Sequence, residues 1–150
     1  MVSEGYHDTG EEWAHKNAVR QDEITRNTTV EVLLYDDETD ALTDADDVDD
    51  ITTEPTDGDY TRQTFTLDSA DVELSVSDGQ ILAEASVLFD LTDTTGTVNA
   101  SGTVAEFQSD VFNDEEGENP HLLYTAELNI GSQDLDNFDE LEILVQIDLN

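Results

Sequence analysis

Apolar and polar residues alternate along much of the chain from residue 29 to its end. The clearest stretch is "ELEILVQIDL", in which Leu141, Ile143, Val145, Ile147 and Leu149 recur at every second position. A period of two predicts a strand with one buried face and one solvated face.

Five further stretches show the same period, and "GTVNASGTVAEF" adds one or two more strands. The residues expected to face inward are Val30, Val32 and Leu34; Gln63, Phe65 and Leu67; Val72, Leu74 and Val76; Ile81, Ala83, Ala85, Val87 and Phe89; and Leu122, Tyr124, Ala126 and Leu128. Turn signals such as "SDG" and "NDEEGENP" separate these short strands, as is typical of antiparallel sheets. We therefore predict a mainly β fold, an antiparallel, jelly-roll-like β-sandwich of about seven or eight strands with a short N-terminal helix or arm.

The first 27 residues follow a different pattern. "EEWAHKNAVRQDEITR", residues 11–26, predicts a short helix with Thr9 as its cap and Glu12 completing a capping box. Glu12 and Lys16 form an acid-to-base pair one turn apart. The apolar stripe is thin, so this helix needs another surface to lie against. We divide the chain into a docking arm, 1–27, and a sandwich domain, 28–150, with a long acidic loop at 36–60.

The charge balance changes this picture. The chain has 39 acidic and 4 basic residues and a net charge of −35. Such charge repels itself in dilute buffer, whereas molar salt shortens the Debye length to about 3 Å. Disorder fits only the loops, because 36% of the residues are hydrophobic and lie in alternating runs. The composition indicates a folded protein adapted to brine, which should loosen below roughly a few tenths molar salt.

The composition also argues against several classes of function. The chain has no cysteine, so disulfide and thiol chemistry are excluded. Its N-terminus lacks the basic start and apolar core of a secretory signal. No run approaches the roughly 18 apolar residues of a membrane span. Nucleic-acid binding needs a basic face that meets the phosphates, and this chain has only 4 basic residues. We expect neither nucleic acid nor a membrane as a partner.

The stretch "DADDVDD", residues 44–50, is the first candidate for a binding site. It fails as an EF-hand loop starting at Asp44, since Asp49 replaces the required Gly and Pro55 the required Glu. One interpretation is a weak structural site for Na⁺, K⁺, Mg²⁺ or Ca²⁺. Its ligands would be Asp44, Asp46, Asp47 and Asp50. The other interpretation, which we favour, is a solvated acidic loop.

The sequence offers little for catalysis. His7, His15 and His121 form no pair at zinc-binding spacing. Neither a nucleophile elbow nor a phosphate-binding glycine loop is present. No acid pair stands out among 39 carboxylates. We therefore expect no enzyme activity, no catalytic residues and no cofactor.

The basic residues are unevenly placed. Lys16, Arg20 and Arg26 share the N-terminal segment with Trp13, the only tryptophan. One hypothesis is a docking arm, in which Trp13 fills a pocket on a neighbour and the cations meet its acids. The alternative is that the helix packs on its own domain and the cations offset local repulsion. Arg62 follows the acidic loop, where a salt bridge could pin that loop.

Two triplets, "NTT" at Asn27 and "NAS" at Asn99, fit the glycan acceptor pattern. Such triplets also arise by chance in a threonine-rich chain, and they matter only if the protein is exposed outside a cell.

One motif opens the strand after the acidic loop. It reads Gly-x-Tyr-x-Arg-Gln, here Gly58, Tyr60, Arg62 and Gln63, and it follows the strand "VEVLLYDDETD". A strand pair, a strand with Leu122, Leu123 and Tyr124, and the final strand Leu141–Leu149 come after it. In this order residues 28–150 resemble small virion proteins of tailed phages and of tailed viruses infecting halophilic archaea. Where those proteins often have Gly-Asp before the last strand, this chain has "DNFDE".

The resemblance implies structural work on a virus particle and no catalytic residues. It implies a capsid-surface decoration or a vertex turret component, with the virion as its location after assembly in the cytoplasm of a halophilic archaeal host. The expected partners are further copies in a cyclic homo-oligomer and neighbouring virion proteins such as the major capsid protein. Two alternatives are a structural protein of the tail or baseplate and a cellular haloarchaeal ligand-binding module. A sugar-binding module should show a row of exposed aromatics, which the predicted outer faces lack.

Overall fold

The computed structural model describes residues 5–16, 29–107, 109–112 and 120–148. Ten strands and two helices lie in this part of the chain. The strands are β1 (Gly5–Tyr6), β2 (Thr29–Tyr35), β3 (Gln63–Thr66), β4 (Glu73–Ser77), β5 (Gln80–Asp90), β6 (Thr97–Val98), β7 (Ala100–Glu106), β8 (Pro120–Glu127), β9 (Gln133–Asp134) and β10 (Glu140–Asp148). The helices are α1 (Asp8–His15) and α2 (Asp37–Asp40).

The strands form two packed antiparallel sheets, as the alternation predicts. One sheet has the order β1-β8-β7-β2-β3, the other has the order β10-β5-β4, and β6 pairs with β9 in a short ladder. Buried side chains from β2, β3, β7 and β8 meet those from β5 and β10 to form the main core between the sheets. The prediction of a mainly β fold compatible with an antiparallel sandwich is confirmed.

The outer face of the five-stranded sheet is also buried, which the sequence did not predict for β2. Leu33 and Tyr35 point away from the main core, yet each is fully buried. They belong to a second apolar cluster with Leu42, Ala100, Val104 and Leu122. Val48 and Ile51 of the acidic loop pack against this cluster. The acidic loop therefore folds back over the sheet as a cover, and we name this cluster the loop-covered core.

The N-terminal segment is part of the sandwich rather than a separate arm in its described residues. β1 pairs with β8, and α1 packs on β8. Gly10 makes this approach feasible, because a Cβ there would lie 1.9 Å from the carbonyl oxygen of Leu123.

The predicted helix boundaries need correction. α1 begins at Asp8, so Thr9 lies inside the helix and donates a hydrogen bond to the carbonyl of Leu122 at 2.5 Å. Glu12 does not complete a capping box, since its carboxylate accepts from Ser109 Oγ at 2.7 Å and from the Asp110 amide. The predicted pair of Glu12 and Lys16 is confirmed, with Nζ 3.7 Å from Oε1. Residues 17–26 of the predicted helix lie outside the described residues.

Candidate functional site

The "DADDVDD" stretch is tied to the sandwich by Asp47. Asp47 caps the 3-10 turn Val48–Asp50, and Asp50 completes a capping box by accepting from the Asp47 amide at 2.9 Å. The other carboxylate contacts of Asp47 reach β8, with Oδ1 accepting from the Leu122 amide at 2.7 Å and Oδ2 lying 2.5 Å from His121 Nδ1. The buried His121 ring stacks on Phe112 with centroids 5.6 Å apart.

A second histidine attaches the same loop to the N-terminal segment. His7 is fully buried, and its Nδ1 donates to the carbonyl of Asp46 at 3.0 Å. Its Nε2 lies 3.1 Å from Thr125 Oγ1. The Asp8 amide donates to the Asp44 carbonyl at 2.9 Å. Loop, helix and β8 are therefore joined by hydrogen bonds, and both buried histidines have framework roles.

The proposed cation ligands are not gathered into a metal site. Among the residues that the structure describes, no group of three or more His, Asp or Glu side chains is placed to hold a metal ion. Asp46 accepts from the Thr43 amide and hydroxyl at 2.6 and 2.9 Å, whereas Asp47 and Asp50 make the contacts given above. Asp44 contributes its backbone carbonyl instead of its carboxylate. The acids of this stretch are exposed or partly exposed, and Asp46 and Asp50 accept hydrogen bonds from the loop's own backbone amides.

The Gly58–Tyr60–Arg62 motif attaches the far end of the acidic loop to both sheets. Gly58 has φ +60°, and a Cβ there would lie 2.4 Å from the carbonyl carbon of Asp93, so a turn between two closely packed backbones needs glycine. Tyr60 stacks on Phe89 of β5, with ring centroids 5.8 Å apart. Its hydroxyl accepts from the Leu34 amide of β2 at 3.0 Å and donates to Glu54 at 3.0 Å.

Arg62 completes this motif with a two-point hydrogen bond to the acidic loop. Its Nε and Nη2 donate to the two carboxylate oxygens of Glu54 at 2.8 and 2.9 Å. These bonds raise the pKa of Arg62. Burial raises the pKa of Tyr60, and the negative charge of Glu54 raises it further. Tyr60 therefore stays a hydrogen-bond donor, and the predicted salt bridge from Arg62 that pins the loop is confirmed.

The structure describes two of the four proposed docking residues, and both lie within the chain's own fold. Trp13 is a member of the main core and is 9% exposed. Its indole Nε1 is buried without a hydrogen-bond partner among the described residues. Lys16 is buried between Glu12 and Asp110, with Nζ 3.5 Å from Oδ1 of Asp110. These positions match the alternative in which the helix packs on its own domain. Arg20 and Arg26 lie outside the described residues, so their docking role stays a prediction.

The two glycan acceptor triplets differ in what can be said of them. Asn99 is 9% exposed, and its side-chain oxygen accepts from the Asp37 amide at 2.8 Å. The Asn99 side chain is therefore largely enclosed in the folded chain. Asn27 lies outside the described residues.

An apolar surface that sequence reasoning misplaced lies on the β4–β5 hairpin. Leu74, Val76 and Ile81 were predicted to be core residues, and they do lie on the inner face, because β4 and β5 pair Leu74 with Ala83 and Val76 with Ile81. They are nevertheless 75%, 76% and 63% exposed. No described residue therefore covers the inner face at this end of the hairpin. We call these three side chains the open hairpin face.

Beside this face lies an open apolar recess of about 290 Å³, lined by Leu67, Asp68, Ser69, Val72 and Leu74. The recess floor is shaped by the β3–β4 connection, where Asp68 accepts from the Ala70 amide and Asp71 accepts from the Thr66 amide at 2.7 Å. Carboxylates thus hold the recess in shape while its lining is mainly apolar.

Comparison with known proteins adds no family. Searches against protein-family models, curated proteins and solved structures found no match to this chain. In the part of the chain that the structure describes, no helix has the length and apolar character needed to cross a membrane.

Proposed function

We propose that this chain is a structural protein of the virion of a tailed virus that infects a halophilic archaeon. It decorates the capsid surface or forms part of a vertex turret, and it works as a symmetric oligomer beside the major capsid protein. Its contribution is a rigid, strongly acidic block that is assembled onto the particle in the host cytoplasm.

The observation that carries this proposal is the role of Gly58, Tyr60 and Arg62, the residues on which the sequence resemblance rests. Their contacts join the acidic loop to β2, to β5 and to the turn at residues 92–95. Asp57 strengthens the last of these links, since it accepts from the Thr95 amide and hydroxyl at 3.0 and 2.6 Å. A motif that fixes the shape of a surface loop supports a function that depends on shape.

The charge of the chain supports a location on the outside of a particle in brine. The net charge of −35 is large for 150 residues. Particles coated with such a protein repel one another and stay dispersed, while molar salt screens the repulsion within each copy. Several acids serve the fold as well, because they accept hydrogen bonds from loop backbones.

The test is quantitative mass spectrometry of purified virus particles and of the soluble fraction of the infected host. We expect the chain to be enriched in the particles at a fixed ratio to the major capsid protein. Recovery in the soluble fraction alone, at the level seen in uninfected cells, would overturn the proposal and favour a cellular protein.

Electron microscopy with gold-labelled antibodies then places the chain on the particle. Label over the head surface or at the vertices is the expected result. Label confined to the tail or baseplate would keep the virion role but replace the capsid-surface assignment by the tail alternative.

A further inference from the structure

The open hairpin face holds the three most exposed large apolar side chains among the described residues, and the described contacts give it no role. Leu74, Val76 and Ile81 form a continuous apolar surface, since Val76 and Ile81 are direct neighbours across the hairpin. Soluble single chains seldom expose large apolar residues side by side, and such patches mark interaction sites. In a chain with a net charge of −35, three adjacent uncharged apolar side chains are a stronger signal than in an ordinary protein.

This region has two apolar parts of complementary shape, a hairpin tip and a recess. The tip of the hairpin, with the paired residues Val76 and Ile81, is exposed. The recess beside it, lined by Leu67, Val72 and Leu74, is concave and apolar. An exposed apolar tip and an apolar recess on adjacent parts of one molecule are what a two-fold contact requires, because each copy then fills the recess of the other.

We propose that two copies of this chain bind through their β4–β5 hairpins, with the tip of each hairpin seated in the recess of the other. The inner faces of the two hairpins pack against each other, so each supplies the cover that the described residues of the other copy's own sandwich do not provide. The proposal deepens the proposed function, since it names the surface through which the predicted oligomer forms.

The size of the region suits a dimer. A stable interface buries roughly 800 Å² and about 20–30 residues on each partner. Residues 67–83 are 17 residues, close to the lower end of that number, and they supply the apolar centre of the contact. Asp68 and Asp71 precede β4 and Asp78 follows it, so acids lie at both ends of the apolar centre, as in the polar rim of a typical interface.

The same rim makes the contact depend on salt. Around a two-fold axis, the rim acids of one copy face those of the other and repel them. Molar salt shortens the Debye length to about 3 Å and removes most of that repulsion. We therefore expect a dimer in brine that dissociates as salt is withdrawn, before the sandwich itself unfolds.

Sedimentation velocity of the full chain in molar salt tests the proposal. The variant is the triple substitution Leu74→Thr, Val76→Thr and Ile81→Thr, which removes apolar surface but keeps residues that suit a strand. The matched control is Leu88→Thr, because Leu88 is 51% exposed on β5 but lies on the outer face of the same sheet. We expect a dimer for the wild type and for the control, and at least a tenfold weaker association for the triple variant.

A second measurement uses the absence of cysteine from the chain. In the double variant Ser69→Cys and Val76→Cys, one thiol is in the recess and the other is on the tip. Mild oxidation should produce covalent dimers in molar salt, whereas Leu88→Cys should stay monomeric under the same conditions.

Three outcomes overturn the proposal. A wild-type chain that sediments as a monomer in molar salt does so. A triple variant that remains dimeric places the interface elsewhere. Equal cross-linking of the recess–tip variant and the Leu88→Cys control shows random collision. None of these results affects detection of the chain in virus particles, so the proposed function is tested separately.

Discussion

Two apolar faces of the sandwich differ in their exposure to solvent. On the outer face of the five-stranded sheet, Leu33 and Tyr35 are fully buried under the acidic loop. On the inner face of the three-stranded sheet, Leu74 and Val76 of β4 are three-quarters exposed. Both sets lie on strands of the alternating pattern, but only Leu74 and Val76 were predicted to be buried.

The difference lies in what the neighbouring segment provides. The acidic loop brings Leu42, Val48 and Ile51 to cover the sheet, and its carboxylates accept hydrogen bonds that would otherwise go unmet. The short β3–β4 connection supplies one side of a recess and no more. An acidic segment can therefore cover an apolar face when its carboxylates also accept hydrogen bonds from its own backbone. An apolar face without such a segment is available to a second molecule.

Withdrawal of salt should have the largest effect and should separate the two regions. The loop cover concentrates acids over the sheet, so lower ionic strength should lift it before the main core opens. As salt is lowered, the backbone amides of Val48 and Ile51 should lose protection from deuterium exchange first. The amide of Ile143, in the main core, should lose protection only at a lower salt concentration. Hydrogen exchange across a salt series measures this order, and simultaneous loss of protection would show that the loop is no weaker than the core.

A matched pair of substitutions tests the comparison directly. Leu33→Ala should destabilise the chain by about 2–5 kcal/mol, because it leaves a cavity in the loop-covered core. Leu74→Ala should change the stability of the monomer by no more than about 0.5 kcal/mol, since that side chain is already exposed. Denaturant unfolding in molar salt, at concentrations too low for a dimer, gives both values. Equal losses would mean that the hairpin face is covered in solution.

Two aspartates of the same turn should differ in a similar way. Asp47→Ala leaves the Leu122 amide and the His121 ring without their acceptor, which should cost about 1–3 kcal/mol. Asp49→Ala is the control, because Asp49 is exposed and should shift stability by about 0.5 kcal/mol or less. Thermal unfolding of both variants in molar salt checks this. A similar loss for both would show that turn propensity, not the contact to β8, attaches the loop.

The smallest expected effect concerns the pH below which the acidic loop loses stability. Partial burial raises the pKa of Asp40, but hydrogen bonds from Thr52 and Thr53 together outweigh it and hold the pKa below its ordinary value. Because the folded pKa is the lower one, this stabilisation is complete above the unfolded pKa of about 3.9 and is lost as pH falls through the folded value.

Thr52→Val removes the hydroxyl donor to Asp40, which is 2.5 Å from the carboxylate. The pKa of Asp40 should then rise toward its ordinary value, so the loop should loosen at a higher pH than in the wild type. Carboxyl NMR titration of Asp40 measures the shift. Thr61→Val is a control, since Thr61 donates nothing to Asp40, and an unchanged Asp40 titration in Thr52→Val would contradict the assignment.

The main strands could be predicted because alternation is a local signal. Seven strands longer than two residues match the predicted runs, and β6 lies beside β7 in the run for which one or two strands were predicted. β1 and β9 are too short to leave a periodic pattern. The burial of Leu33 and Tyr35 had a signal, the unbroken run "VLLY", which is typical of a strand buried on both faces. What covers the second face depends on the loop folding back, and the pattern of β2 carries no information on that.

The contacts of the candidate site divide in the same way. The Arg62–Glu54 bridge joins residues close in sequence, so it could be predicted from the position of Arg62 beside an acidic loop. The Asp47–His121 contact joins residues separated by 74 positions, and only the fold brings them together. The exposure of Val76 was missed because alternation shows which way a side chain points but not whether another layer covers it.

The burial of Asn99 has a practical consequence for making this protein. Oligosaccharides are attached to asparagine while a chain is still open, before β7 could enclose this side chain. A sugar fixed to the Asn99 nitrogen would bring its bulk into this buried site beside the Asp37 amide and hinder the closing of the sheet. Passage through a eukaryotic secretory route should therefore trap the chain unfolded, and replacing Ser101 by Ala, which destroys the recognition triplet, should release it.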